Sequence, residues 1–289
     1  MAFIKNMKIK QKILIPNFIW IIFIGLIGYL FFTTSEIITN LLERNKEMNF
    51  ISNEIRMITA EIKFYFNNSI TYEELSSHCK KTRDILDNWR NKDESIINKM
   101  NEFQNHLIEI EETKKNNLNI ENEIMSLTDL SIEQSNSYIN QVSEKLADTT
   151  LRKRVSILER MVIIGANINT SSNYEIKTLF LRLKNDIKQE ENIKNYLLQS
   201  IENVERDVIR LQRTPFAQMA VKAKEANLRI NELVENFIGN KKNIMEKETY
   251  IQTELNDLLT KIDEIEVNLT TFDTKRIKDR FISITSALL

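Results

Sequence analysis

The apolar residues of this chain fall into two patterns, one continuous and one periodic. From Ile13 to Phe32 (ILIPNFIWIIFIGLIGYLFF) they run together, and no charge lies between Lys12 and Glu36. At about 1.5 Å per residue this stretch spans about 30 Å, the thickness of a bilayer's hydrocarbon core. The pattern predicts a transmembrane helix over 13–32. Pro16 and Asn17 fall in its first turn, where backbone donors lack helical partners and a proline is tolerated. A cleaved signal peptide needs a shorter run and small residues at its end. This run closes on Tyr29, Leu30, Phe31 and Phe32, which are bulky. Lys5, Lys8, Lys10 and Lys12 precede it with no acid among them. That bias predicts residues 1–12 in the cytoplasm and the remainder across the cell membrane.

Beyond the span the apolar positions step by four and three. Ile37, Leu41, Arg44, Met48, Ile51, Ile55, Ile58, Ile62 and Tyr65 form one seam, the spacing of a helical bundle or coiled coil. Asn67, Asn68 and Ser69 break it, and Thr71 with Glu74 makes a capping box for the next helix. The second seam, Leu75 to Ile110, predicts a helix over 72–113 and includes Cys79, Trp89 and Asp93. Lys114 to Asn119 (KKNNLN) is the expected turn. A third helix is expected over 118–168, with Ile124, Leu127, Ser131, Gln134 and Tyr138 inward and a kink at Asp148 to Thr150. Short helices follow over 173–188 and 192–212, the latter with Ile193, Leu197, Ile201, Val204, Val208 and Leu211 inward. Thr214 and Pro215 then open a long last helix over 215–289.

The predicted class is therefore all-α: an N-terminal transmembrane helix, then an elongated six-helix region over 33–289. Helix lengths at about 1.5 Å per residue make the ascending and descending runs nearly cancel. The expected arrangement is two stacked four-helix modules. The near-membrane one draws on 33–68, 72–113 and parts of 118–168 and 215–289; the far one draws on 173–188, 192–212 and the rest.

Composition strengthens the helical reading. The chain has four glycines and two prolines, and past residue 32 only Gly165, Gly239 and Pro215 remain. Sheets and tight turns use such residues. Outside the four N-terminal lysines, 36 bases face 41 acids, a balance that argues against nucleic acid. Cys79 is the only cysteine, so no internal disulfide is possible.

No enzyme signature is present: there is no glycine-rich phosphate loop and no nucleophile elbow. His78 and His106 lack a metal-ligand spacing pattern, and no cofactor is implied. The notable residues are charges in apolar seams. Arg44 and Asp93 fall at similar predicted heights, with Ser131 and Arg276 near the same level. One reading is an Arg44–Asp93 ion pair that fixes register. Another is an anion pocket in which the guanidiniums of Arg44 and Arg276 clamp a carboxylate. A third is a snorkelled, solvated layer. Arg56 and Arg160 form an approximate echo, in Ile55-Arg56-Met57-Ile58 and Glu159-Arg160-Met161-Val162, which suits one ligand site per module.

The MKIKQKILIP start, the single anchor and the long final helix aimed back at the membrane resemble the sensor half of a methyl-accepting chemotaxis protein, in its helical bimodular form. The resemblance covers nearly the whole chain. It implies a small ligand, often a carboxylate held by arginines, a homodimer in the bacterial inner membrane, and signalling by helix displacement. It also implies a second span, a HAMP linker and a signalling coiled coil. The chain stops at Ser286-Ala287-Leu288-Leu289, before all three, so it is expected to be a fragment or a natural truncation. Two other readings stand beside it: a membrane-anchored bundle that docks partner helices, and the input domain of a sensor histidine kinase.

Overall fold

A computed structural model describes residues 9–89, 94–148, 150, 152–167 and 173–288. Among these there is no strand. Among the described residues seven α-helices follow in order: α1 (Ile9–Phe66), α2 (Tyr72–Asp87), α3 (Glu94–Ala147), α4 (Arg152–Asn167), α5 (Glu175–Asn185), α6 (Glu190–Leu211) and α7 (Ala217–Leu288), with a single 3-10 turn at Ile187–Gln189.

The apolar span and the first heptad seam are one unbroken helix, α1, of 58 residues. Its N-terminal part holds an 18-residue window of mean hydropathy 2.0, none of it buried. Phe18, Trp20, Ile21, Ile24, Phe31 and Phe32 are all exposed there. This helix is long and apolar enough to cross a bilayer.

α1 ends by a specific local mechanism. Asn68 takes a left-handed φ of 56°, which asparagine tolerates better than most residues. The Ser69 N–H then donates to Phe64 O (2.8 Å) and the Asn68 N–H to Tyr65 O (3.0 Å), the two bonds of a Schellman stop. Two residues on, the capping box forms. Glu74 N–H donates to Thr71 Oγ1 at 3.2 Å, and Thr71 N–H to Glu74 Oε2 at 2.9 Å.

The next boundary differs from the sequence reading. α2 stops at Asp87, whereas a helix over 72–113 was expected, and α3 runs straight through Lys114–Asn119. KKNNLN contains no glycine or proline, and asparagine costs a helix well under about 1 kcal/mol per residue. Tertiary contact outweighs that: Asn117 is buried and accepts a bond from Asn240 Nδ2 at 2.9 Å. At the other end, the interruption expected near Asp148 is a full break between α3 and α4. The expected break at 169–173 falls largely outside the described residues.

The chain divides into two compact units. The first holds the chain up to Gln104 and from Ile251 on, and the second is Asn105–Tyr250. α3 and α7 each give a segment to both. In the first unit parts of the predicted seams are buried. Met48, Ile51, Ile55, Ile58 and Ile62 of α1 lie inside with Leu75, Cys79 and Leu86 of α2. Ile96, Met100 and Phe103 of α3, and Ile251, Leu255, Leu258 and Ile262 of α7, are also buried. Each such side chain contributes about 1.5–3 kcal/mol by leaving water. Ile37, Leu41 and Arg44 continue the same seam but are only half-buried.

In the second unit, ion pairs record how the helices run. Lys177 to Asp129 and Lys184 to Glu121 set α5 antiparallel to α3. Lys194 to Glu235 and Lys224 to Glu205 set α6 antiparallel to α7. Lys247 to Glu109 and Arg229 to Glu123 set α7 antiparallel to α3. Its apolar core centres on Ile124, Phe180, Leu183, Leu197, Ile230 and Phe237. Phe180 and Phe237 meet edge to face at 5.0 Å.

Candidate functional site

The interior of the second unit is not apolar throughout. Thr128, Ser131 and Ser135 of α3, Ser200 and Asp207 of α6, and Asn227 of α7 are all buried. Asn227 Nδ2 donates to Ser200 Oγ at 3.0 Å. Burial pushes the Asp207 carboxyl above its ordinary value, while Arg210, whose Nη1 donates to Asp207 Oδ1 at 3.2 Å, pulls the other way. Among the described residues the buried Tyr138 hydroxyl has no hydrogen-bond partner. Burial, with the Asp207 charge adding to it, pushes Tyr138 up to about 12.

The sequence reading misplaced this polar band by one residue. It put Leu127, Gln134, Ile201 and Val208 inward. Thr128, Ser135, Ser200 and Asp207 occupy those interior positions instead. On α6 the buried set 193, 197, 200, 204, 207 and 211 keeps a strict four-three alternation. Heptad geometry thus overrides the hydropathy of Ile201 and Val208.

Beside this band lies a groove of about 540 Å³ between α4 and α6. Ile157, Met161, Ile164 and Leu211 supply apolar walls, and Arg160 and Arg210 supply two guanidiniums. That volume lies within the range of small-molecule sites, which pair apolar walls with a few placed polar groups. Gly165 of α4 makes close packing possible nearby. A Cβ there would lie 2.5 Å from Tyr138 Cδ1 and 2.9 Å from Ile139 Cγ1.

The first unit holds a second feature, on the α1–α2 contact. His78 Nδ1 faces Glu61 Oε2 at 2.8 Å and Nε2 faces Glu54 Oε2 at 3.1 Å. Burial works against charge on His78, yet the two carboxylates more than offset it, and the imidazole titrates above its ordinary value. Protonated, it donates to both. The carboxylates lie seven residues apart on α1, one heptad, so they share a face. Cys79, next along α2, is fully buried. Burial pushes its thiol up to about 12, which leaves it unreactive. Among the described residues no group of His, Cys, Asp and Glu is disposed to hold a metal ion.

The remaining sequence candidates are dispersed. Arg44 is half-buried on α1. Arg56, Arg160 and Arg276 are exposed on α1, α4 and α7. Asp93 lies outside the described residues. Ser131 is buried in the second unit, whereas Arg44 and Arg276 belong to the first. Of these six, Arg160 lines the arginine groove and Ser131 lies in the polar band of the same unit. Arg210 was not singled out from sequence, because an arginine beside a seam residue reads as ordinary surface. Another seam charge, Glu248, has Lys114 of α3 as its electrostatic neighbour, and burial is the main influence on both.

Comparison with protein-family models, with curated proteins and with solved structures gave no match.

Proposed function

We propose that this chain is the sensory region of a membrane-anchored transducer of the methyl-accepting chemotaxis type, with each compact unit acting as a four-helix module. The ligand is a small organic carboxylate bound between α4 and α6. The observation that carries this is the pairing of Arg160 and Arg210 on an apolar groove of ligand size. A guanidinium presents a planar fork that suits a carboxylate's two oxygens. Arg210 already holds one carboxylate, Asp207, so a ligand carboxylate competes for or shares that fork. The anchor part of α1 keeps the assembly in the bacterial inner membrane, with residues beyond the span outside the cytoplasm and paired in a homodimer. Binding draws α4 and α6 together and biases the position of α7, an unbroken helix of 72 residues. A displacement at its start therefore travels along it.

The test is calorimetry and thermal unfolding of the full chain in nanodiscs against mono-, di- and tricarboxylates. A ligand at 100 times Kd stabilises by about 2.7 kcal/mol. Arg160→Ala and Arg210→Ala should each weaken binding about tenfold or more, the value of a charged hydrogen bond. No stabilisation by any carboxylate at roughly 10 mM, or unchanged binding in both variants, overturns the carboxylate reading. External protease should also cleave beyond Phe32 in spheroplasts; full protection overturns the placement outside.

One observation favours a second reading, a helical docking protein that binds nothing small. Two inward-lying charges have partners within the chain, Glu248 beside Lys114 and Asp207 on Arg210.

A further inference from the structure

In the first unit a groove of about 590 Å³ opens between α1 and α2. Its floor is apolar: Phe50 and Ile51 from α1, Ile85 from α2, and Trp89. Two polar atoms lining it are anomalous. Glu47 Oε2 and Trp89 Nε1 are each closed off from solvent, and among the described residues neither has a hydrogen-bond partner. Trp89 as a whole is only 6% exposed. A buried donor or acceptor left unsatisfied is unfavourable, and more so for a charged group. Buried polar groups are nearly always satisfied, and exceptions call for a cause. Two of the unsatisfied groups thus line one groove, and they are chemically opposite: a carboxylate acceptor and a neutral donor. They do not satisfy each other.

The structure assigns to this groove, we propose, a second ligand site for a small organic ammonium compound that also carries a hydrogen-bond acceptor. The ammonium donates to Glu47. The acceptor, a hydroxyl or carbonyl oxygen, takes the Trp89 indole N–H. An aliphatic body fills the floor between Phe50, Ile51 and Ile85. The aromatic faces of Phe50 and Trp89 add attraction for a cation. Lys80, Lys81 and Asp84 also line the groove. A carboxylate alone would place its charge beside Glu47, so this chemistry is opposite to that of the arginine groove. The two sites lie in different units and fail independently.

The probe is leucinol, which has an ammonium, a hydroxyl and an isobutyl group. Isoamylamine lacks the hydroxyl, and isocaproate lacks the ammonium. Calorimetry uses the full chain in nanodiscs. Leucinol should bind most tightly, isoamylamine several-fold more weakly, and isocaproate not at all. Glu47→Gln keeps the shape and should weaken leucinol about tenfold or more. Arg160→Ala, in the other unit, should leave it unchanged. In a Trp20→Phe background Trp89 is the sole tryptophan, and its emission should shift saturably with leucinol. If Glu47→Gln fails to fold, Trp89→Phe supplies the second test. It keeps an aromatic ring but lacks the N–H, so it should weaken leucinol and spare isoamylamine. No heat and no emission change at roughly 10 mM leucinol overturns the site. So does wild-type affinity in Glu47→Gln, or equal loss for both amines in Trp89→Phe.

Discussion

Replacing His78 with glutamine removes the cation between Glu54 and Glu61. The His78 side chain is 16% exposed, Glu54 6% and Glu61 35%. Hydrogen bonds to charged groups contribute about 1.5–3 kcal/mol. The Glu61 contact is the more solvated and is closer to the 0–1 kcal/mol, roughly, of a surface pair. The buried Glu54 contact therefore dominates, and the loss should be about 1.5–3 kcal/mol in the opening of α1 from α2. Cys79 reports that opening directly. It is the only cysteine, it is buried beside His78, and it reacts only when the helices part. Its labelling by a small thiol reagent, divided by the rate of an unstructured thiol peptide at the same pH, measures the open fraction. At pH 6 the variant should label about ten to a hundred times faster than wild type.

The pH dependence sharpens the test. The folded-state pKa of His78 lies above its unfolded value of 6.5. Its contribution is therefore whole below pH 6.5 and is lost as pH rises through the folded pKa. Normalised wild-type labelling should accelerate from pH 6 to pH 9 and converge on the variant. A wild-type to variant ratio that stays constant across that range would refute the charged clasp. It would leave His78 as a neutral packing residue.

The two glycines beyond the span should respond in opposite ways. Gly165→Ala puts a methyl against Tyr138 and Ile139 and should cost about 1–3 kcal/mol by overpacking, more than helix propensity returns. Gly239→Ala meets nothing within 4 Å and should stabilise by about 0.8–1 kcal/mol; thermal unfolding of both variants reads the signs. Tyr138→Phe removes a buried hydroxyl that has no partner among the described residues, so its unfolding midpoint should hold or rise, and a clear fall would mean that the hydroxyl is satisfied in solution.

Much of this molecule can be read from its sequence because helices record their inward face in spacing. The continuous run at 13–32, the seams at Met48–Tyr65, Leu75–Trp89 and Ile96–Ile110, the Thr71–Glu74 box and the stop at Asn67–Ser69 are all local. Each depends on residues within a few positions of one another. The scarcity of glycine and proline settles the all-α class for the same reason, since no long-range partner is needed to see it.

What the sequence left open depends on partners far along the chain. Lys114–Asn119 reads as a turn by composition, but Asn240, 123 positions away, holds Asn117 inside a continuous helix. Ile201 and Val208 read as core, but strict heptad packing turns Ser200 and Asp207 inward. His78 reads as an isolated histidine until α1 folds back and brings two carboxylates to its ring. Arg210 joins Arg160 only when α6 lies beside α4. Spacing along one helix fixes which residues face inward, whereas the identity of what they face is set by chain segments that meet only on folding.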